Sequence, residues 1–220
     1  MTHAGPRPEM PTANDASLQT WQASWQSAWS ALGASAPQPV LAELLQSYSE
    51  PQRHYHTLQH LGEAMGLLQP ALGLAEHSGE VALALWFHDA VYETQAKDNE
   101  ARSADWAAAV LRGQGLPADI AGRVHGLIMA TCHAAQPSGI DARLLVDADL
   151  GILAADSLRF AEYELQVRAE YEWVPLPLYR ARRREVLQGF MQREAIYCTD
   201  WFRQRLEARA RRNLAQALGL

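Results

Sequence analysis

Residues 80–90 have the sequence Glu-Val-Ala-Leu-Ala-Leu-Trp-Phe-His-Asp-Ala, and this stretch is the strongest indicator of the fold. The uninterrupted apolar run at 81–87 indicates a buried helix. His88 and Asp89 follow at its end, where a charged carboxylate beside an imidazole needs a partner that offsets the cost of desolvation. A metal ion is one such partner, although a structural pair or a helix cap is the ordinary explanation of an isolated His-Asp dipeptide.

Helical patterns continue on both sides of this stretch. Apolar residues spaced by three and four place Trp21, Trp25 and Trp29 on one face of a first helix, where core packing explains them better than ligand stacking. Further helices are predicted at about residues 40–48, 55–68, 80–86, 100–111, 117–131, 143–154, 157–173, 177–197 and from 199 onward. The sequence contains no sustained alternating run of β-branched and aromatic residues, which is the pattern that indicates a strand. The sequence therefore predicts an all-α protein with a single domain over residues 16–220, preceded by a disordered tail over residues 1–15.

Composition narrows the functional classes. The net charge of −6 argues against a protein that depends on broad contact with nucleic-acid phosphates. No stretch approaches the roughly 20 apolar residues that span a bilayer, and the two cysteines form no metal-binding pair, so a cytoplasmic protein is expected. Residues 177–220 contain ten arginines against four acidic residues. The candidates to contact a phosphate are Arg168, Arg180, Arg182, Arg183 and Arg184, and all but one or two of them are expected instead to form surface ion pairs.

Two histidines and two aspartates elsewhere are candidates to join the His-Asp pair. His56 and His60 are four residues apart, so on a helix they would share one face. Zinc peptidases use the same spacing but place a glutamate directly after the first histidine, and Thr57 occupies that position here. Asp147 and Asp149 lie inside an apolar segment, where ionised carboxylates are costly unless they are bound.

The order His60, His88-Asp89, Asp149 resembles the H…HD…D pattern of the HD superfamily of metal-dependent phosphohydrolases. Over about residues 40–200 the chain is more closely similar to a bacterial group of predicted metal-dependent HD phosphohydrolases. The segments that carry this similarity are Arg53 to His60, Trp86 to Tyr92, Asn99 to Ala104 and Asp147 to Leu150. The tail and the first helix lie outside it.

This resemblance implies an HD-domain helical bundle with extra helices at both ends of the chain. It also implies one divalent metal ion coordinated by His60, His88, Asp89 and Asp149. Two nitrogen and two oxygen ligands suit Mn, Fe, Co, Ni, Zn or Mg, and the sequence does not choose among these metals. Such an ion acidifies a water molecule that attacks phosphorus, so Asp89 is counted with the catalytic residues. The implied substrate is a nucleotide or another small phosphate ester.

The resemblance also separates roles within the site. His56 belongs to a Tyr-His-x-x-x-His segment similar to that of cyclic-nucleotide phosphodiesterases, which implies that it protonates the leaving oxygen. A core or ligand-supporting histidine is the equally weighted alternative. Asp147 and Asp149 leave a helix about 200° apart, so only one of them is expected to bind the ion. The Ala-Asp-Leu around Asp149 resembles the last ligand of phosphodiesterases, and Asp147 is predicted to accept hydrogen bonds from a neighbouring helix or a ligand histidine.

Further candidates for contacts in or behind the pocket are Glu93, Asn99, Glu100 and His133. Asn99 and Glu100 begin a helix, where capping is a sufficient explanation, and a pocket contact is weighted equally. Some HD enzymes bind a second metal through two additional histidines on the intervening helices, and only His125 and His133 are available for this role here. A dinuclear site is therefore the minority hypothesis. Two other functions stay open, namely a mixed-valent di-iron oxygenase that uses these histidines and a non-catalytic module braced by its metal. The oligomeric state is not determined by the sequence.

Overall fold

The computed structural model describes residues 13–133 and 135–220, and these residues form helices joined by turns, with no strand among them. The predicted all-α class is therefore confirmed. Two 3-10 helices, Gln69–Leu74 and Leu150–Ala154, extend α3 and α7. The α-helices are α1 (Ala13–Ala31), α2 (Gln38–Ser47), α3 (Leu58–Leu68), α4 (Ser78–Phe87), α5 (Asn99–Gly113), α6 (Ala118–Ala130), α7 (Ile140–Asp149), α8 (Ser157–Glu170), α9 (Leu176–Met191) and α10 (Asp200–Leu218).

The start of the chain is described only in part. Residues 1–12 of the predicted tail lie outside the described residues, whereas residues 13–15 form the beginning of α1. Among the helices that the structure describes, none has both the length and the apolar character that crossing a bilayer requires.

Helix α4 lies at the centre of the bundle. Residues 79–81 and 83–87 are buried, and the helix contacts α1, α3, α5, α6 and α7. A helix that is apolar on all sides is stable only when other helices surround it. The apolar run at 81–87 therefore carries the residues that follow it, His88 and Asp89, into the interior of the protein.

Tryptophans of α1 pack on this central helix. The ring centroid of Trp25 lies 5.3 Å from that of Trp86 and 5.5 Å from that of Trp29, both in edge-on arrangements. All three rings are fully buried, and aromatic pairs of this kind contribute about 0.5–1.5 kcal/mol beyond the burial of their area. The predicted core role is thus confirmed for Trp25 and Trp29, while Trp21 lies partly exposed at the edge of the core.

Helix α3 begins later than the sequence predicts. It starts at Leu58, because the side chain of Thr57 accepts a hydrogen bond from the backbone N–H of Gln59 and caps the helix. His56 lies in the turn before the cap, so the prediction that His56 and His60 share one helix face is wrong. Their imidazole centroids are nevertheless 5.8 Å apart, because the turn bends back toward the first turn of the helix.

Asp147 joins the end of α7 to the start of α10. Its buried carboxylate accepts hydrogen bonds from the N–H of Cys198 at 2.6 Å, the N–H of Thr199 at 2.8 Å and the hydroxyl of Thr199 at 2.7 Å. The Thr199 hydroxyl in turn accepts a hydrogen bond from the N–H of Phe202 and caps α10. This carboxylate thus fixes the start of α10 to the end of α7.

We expect Asp147→Asn to lower the free energy of unfolding by about 1–3 kcal/mol, the cost of leaving a buried hydrogen-bonding group unsatisfied. The reason is that one side of an amide donates, and both carboxylate oxygens of Asp147 face donors. Urea unfolding followed by circular dichroism measures the change. An unchanged unfolding midpoint in this variant would contradict the role assigned to Asp147.

Candidate metal centre

Two imidazole nitrogens meet in the interior of the bundle. His60 lies in the first turn of α3, and His88 follows the last residue of α4. Both side chains are buried, and their Nε2 atoms are 3.1 Å apart. Nδ1 of His88 lies 2.7 Å from the carbonyl oxygen of Leu85, which can only accept a hydrogen bond. Nδ1 therefore carries the proton of a neutral His88, and the lone pair of Nε2 is directed toward His60, as in metal-binding histidines.

Two carboxylates approach these nitrogens. Oδ2 of Asp89 lies 3.0 Å from Nε2 of His88 and 3.5 Å from Nε2 of His60. Oδ1 of Asp149, at the end of α7, lies 3.3 Å from Nε2 of His60 and 3.5 Å from Nε2 of His88. The fold thus brings together all the residues that the sequence resemblance implies as ligands, although α3, α4 and α7 are separated in the chain. These four side chains are called the ligand cluster below.

The separations among His60, His88 and Asp149 fit a divalent ion. Nitrogen and oxygen ligands bound at about 2.0–2.1 Å lie roughly 2.9–3.4 Å from one another at adjacent positions of octahedral or tetrahedral geometry. The distances from the imidazole nitrogens to the carboxylates are 3.0–3.5 Å, and the ligand atoms of His60, His88 and Asp149 all lie within 4.8 Å of one another. These three side chains therefore have the spacing of ligands to one metal ion, while Asp89 lies close to both imidazoles but outside the group whose ligand atoms are all within 4.8 Å of one another.

Opposite charges face each other in the ligand cluster. Burial lowers the pKa of His60 and of His88, but the carboxylates of Asp89 and Asp149 outweigh it, and both pKa values are raised. Burial raises the pKa of Asp89 and of Asp149, but the neighbouring imidazoles outweigh it and hold both values well below the usual range. Protons on the imidazoles must leave before a metal ion binds, so metal binding and proton release are coupled.

Beside the ligand cluster, His56 is held by a buried glutamate. Oε2 of Glu170 accepts a hydrogen bond from Nδ1 of His56 at 2.8 Å, and Oε1 accepts the backbone N–H groups of His54, Tyr55 and His56 at 2.8–3.0 Å. Tyr92 donates its hydroxyl to Oε2 at 3.1 Å and stacks on the His56 imidazole, with centroids 4.0 Å apart. Because the carboxylate accepts, Nδ1 carries a proton, and Nε2 of His56 is left for another partner.

Arg53 fixes the turn that carries His56 against the main chain of the ligand cluster. Its buried guanidinium donates to the carbonyl oxygens of Asp89 at 2.6 Å, Ala90 at 2.9 Å and His56 at 3.3 Å. The hydroxyl of Tyr48 accepts a hydrogen bond from the N–H of Asp89 at 3.3 Å. Hydrogen bonds from one guanidinium to the carbonyl oxygens of both residues therefore set the position of His56 relative to Asp89.

A pocket of about 750 Å³ opens over the ligand cluster, and His56, Asp89, Asp149, Glu100 and His133 contribute to its lining. Nε2 of His133 lies 3.2 Å from Oδ2 of Asp149, so this carboxylate faces histidines through both oxygens. The backbone of His133 has a φ of 53°, a left-handed conformation that costs a non-glycine residue roughly 1–3 kcal/mol. Strain of this kind often accompanies functional sites.

The other predicted pocket residues lie elsewhere. Asn99 exchanges two hydrogen bonds with the backbone of Glu93, and the Glu93 carboxylate pairs with Arg102, so these residues close the loop before α5. Arg168 donates to carbonyl oxygens of the turn after α8. Asp147 faces the start of α10 and contacts no member of the ligand cluster among the hydrogen bonds and ion pairs of the described residues.

Sequence reasoning missed Glu170. It ends α8, a helix whose many charged residues indicate a solvated surface, and nothing in their spacing sets Glu170 apart. Its role arises from contacts with residues 114–116 positions earlier in the chain. The structural role of Arg53 is likewise visible only in the folded protein, where its guanidinium is buried.

A second group with metal-binding residue types consists of Glu76, His77 and Asp141. Asp141 accepts hydrogen bonds from the backbone N–H groups of Glu76 and His77, which precede α4, and from Nδ1 of His77. These hydrogen bonds give the three residues a structural role, since they connect α7 to the residues that precede α4.

Comparison of the chain with known protein families, with curated proteins and with solved structures finds no match. The interpretation of the site therefore depends on its own residues and geometry.

We expect Glu170→Gln to lower the free energy of unfolding near neutral pH by about 3 kcal/mol, because the pKa of the Glu170 carboxyl is about 2. Burial alone raises this pKa, but the charge and hydrogen bond of His56 and the backbone N–H donors lower it further. A depressed pKa contributes stability that is complete above the ordinary value of 4.5 and is lost as the pH falls toward 2. Urea unfolding at several pH values between 7 and 3 measures the effect.

The matched control is Glu172→Gln, which removes an exposed carboxylate two residues away. It should leave both the stability and its pH dependence as in the original protein. If Glu170→Gln retains the same loss of stability between pH 5 and pH 3 as the original protein, Glu170 is not the group that titrates.

Proposed function

We propose that this protein is a metal-dependent phosphohydrolase of the HD superfamily that acts on a nucleotide or another small phosphate ester. The observation that carries the proposal is the convergence of His60, His88 and Asp149 beneath an open pocket, with separations suited to one divalent ion and with Asp89 within 3.5 Å of both imidazoles. The order of these residues along the chain supports it, because that order resembles the HD pattern.

The ligand cluster would hold Mn, Fe, Co, Ni, Zn or Mg, since two imidazole nitrogens and two carboxylate oxygens suit all of these ions. When bound, the ion supplies Lewis acidity toward phosphate and lowers the pKa of a water molecule to near neutrality. The chain contributes two negative charges through Asp89 and Asp149, which balance the charge of a divalent ion. Attraction for a phosphate group then depends on cationic side chains around the pocket.

We assign the protonation of the leaving oxygen to His56. Glu170 fixes the imidazole through Nδ1, and Tyr92 stacks on its face, so the ring has a defined orientation. This arrangement leaves Nε2 as the proton donor on the side of the pocket that His56 lines. Glu170 thus acts as a positioning residue, in the manner of the carboxylates that orient catalytic histidines.

One observation favours a second candidate, the mixed-valent di-iron oxygenase. His133 lies 3.2 Å from the outer oxygen of Asp149, where a second metal would share that carboxylate. His125, the other histidine considered for this role, instead lies 3.3 Å from Asp105 in an exposed ion pair, and it does not line the pocket. One histidine and a shared carboxylate give a second ion few protein ligands, so we prefer the mononuclear hydrolase.

Metal analysis combined with a substrate screen tests these alternatives. The purified protein would be analysed for bound metals and then assayed with nucleotides and other phosphate esters in the presence of Mn, Co, Ni or Mg. We expect one ion per chain and release of phosphate from at least one ester. Two iron atoms per chain with an oxygen-dependent product would favour the oxygenase, and a bound metal without turnover of any ester would favour a structural role.

We expect His60→Ala, His88→Ala, Asp89→Ala and Asp149→Asn each to abolish stoichiometric metal binding and turnover, because each removes one of four protein ligands. Inductively coupled plasma mass spectrometry on the purified variants measures metal content. His77→Ala, a histidine outside the pocket, and Asp147→Asn, whose carboxylate contacts the start of α10 and not the ligand cluster, are the controls, and both should retain metal with unchanged affinity. Full occupancy in any ligand variant removes that residue from the site.

We expect His56→Ala to retain metal and to lower turnover by roughly a hundredfold or more, the scale on which general-acid catalysis is lost. The turnover of a substrate with a good leaving group, such as 4-nitrophenyl phosphate, should fall much less, because its leaving oxygen needs no proton. His54→Ala is the matched control, since His54 is exposed two residues earlier. An equal loss of turnover with alkyl and nitrophenyl esters would mean that His56 does not protonate the leaving group.

A further inference from the structure

The wall of the pocket differs sharply from its floor. His56, Asp89 and Asp149 form the polar floor over the ligand cluster. The outer wall comes from the end of α8, the turn that follows it and α9, and it consists mainly of aromatic and branched aliphatic side chains. Among them are Tyr163, Tyr171, Trp173, Leu178, Tyr179 and Phe190.

Several of these apolar side chains are exposed although they are large. About half of the surface of Trp173, Leu178 and Val186 is open to solvent, and all three line the pocket. Exposed apolar groups that are gathered at one place, rather than scattered singly, mark a surface that binds a ligand. A pocket of about 750 Å³ is within the range of those that enclose a ligand of drug or nucleotide size, and it is far larger than a phosphate group needs.

Cationic groups in the pocket are few. Arg183 forms a largely buried ion pair with Glu164, whereas Arg182 forms an exposed pair with Glu185 that solvent screens. Lys97 is the pocket-lining lysine or arginine for which the described residues provide no ion pair. With two carboxylates already balancing a divalent ion, this supply of positive charge suits one phosphate group and not a chain of phosphates.

We infer that the substrate carries a single phosphate and a ring-bearing organic part of about the size of a nucleoside, which packs against the aromatic wall formed by α8 and α9. This inference rests on the proposed function for the position of the phosphate, since the phosphate would lie at the ligand cluster. The position of the ring system follows from the wall alone. Rings suit this wall because aromatic side chains offer flat faces and edges for stacking.

Equilibrium binding separates this inference from its alternatives. Isothermal titration calorimetry would use the Mn-loaded His56→Ala variant, in which turnover is slow, with the four common nucleoside 5′-monophosphates, ribose 5-phosphate, adenosine 5′-triphosphate and dodecyl phosphate. We expect the best monophosphate to bind at least about tenfold more tightly than ribose 5-phosphate, since burial of the ring system adds apolar contact. Ribose 5-phosphate that binds as tightly, or a triphosphate or dodecyl phosphate that binds more tightly, overturns the inference.

A matched pair of variants tests the wall directly. Leu178→Ala removes a half-exposed side chain from the pocket, and Leu165→Ala removes an exposed side chain of α8 that does not line it, so neither change should unfold the protein. We expect Leu178→Ala to weaken binding of the best monophosphate by about fivefold or more, with no effect on ribose 5-phosphate. Leu165→Ala should change neither. Equal effects of the two variants on nucleotide binding overturn the assignment of the wall.

Failure of this inference is distinguishable from failure of the proposed function. If the protein hydrolyses ribose 5-phosphate as efficiently as any nucleotide, the phosphohydrolase proposal stands and the inference about the wall falls. If nucleoside monophosphates bind with the predicted dependence on Leu178 but no phosphate ester is hydrolysed, the wall is assigned correctly and the hydrolytic function is not.

Discussion

The structure depends on the close approach of two imidazoles and two carboxylates at the centre of a helical bundle. The buried imidazole nitrogens of His60 and His88 lie 3.0–3.5 Å from the carboxylate oxygens of Asp89 and Asp149, which line the pocket. Groups of this kind are costly to bury singly, because each loses its hydration. Together they compensate one another, because each imidazole lies beside a carboxylate.

The surrounding fold serves to hold this arrangement. Helix α4 is apolar on nearly every side, so its burial delivers His88 and Asp89 to the centre without a specific interaction. Specific hydrogen bonds then determine the details, notably those of Arg53 to the Asp89 carbonyl and of His88 Nδ1 to a carbonyl of α4. Glu170 does the same for His56 with a carboxylate that is saturated by donors. Rigid apolar packing thus sets the position of the site residues, and hydrogen bonds set the orientation of their side chains.

The arginine-rich C-terminal helices also gain a structural explanation. Arg183 and Arg182 pair with glutamates, Arg211 with Glu207, and others donate to main-chain carbonyls. These contacts leave little positive charge directed at the pocket from α9 and α10. An excess of arginine in the sequence thus corresponds to ion pairs on helix surfaces, and the part of α9 that faces the pocket is mainly apolar.

The sequence alone determined the all-α class and the buried character of α4, whereas the residues of the ligand cluster were predicted only from a resemblance. The first two features depend on apolar periodicity, a local pattern that is present in the chain before it folds. The tertiary structure decided that His56 lies in a turn before α3, that Glu170 holds it and that Asp147 anchors the start of α10. It also decided that Arg168 and Asn99 bind main-chain groups and do not line the pocket. Each of these depends on a cap or on contacts made when helices pack, and side chains distant in sequence become neighbours only once the bundle has formed.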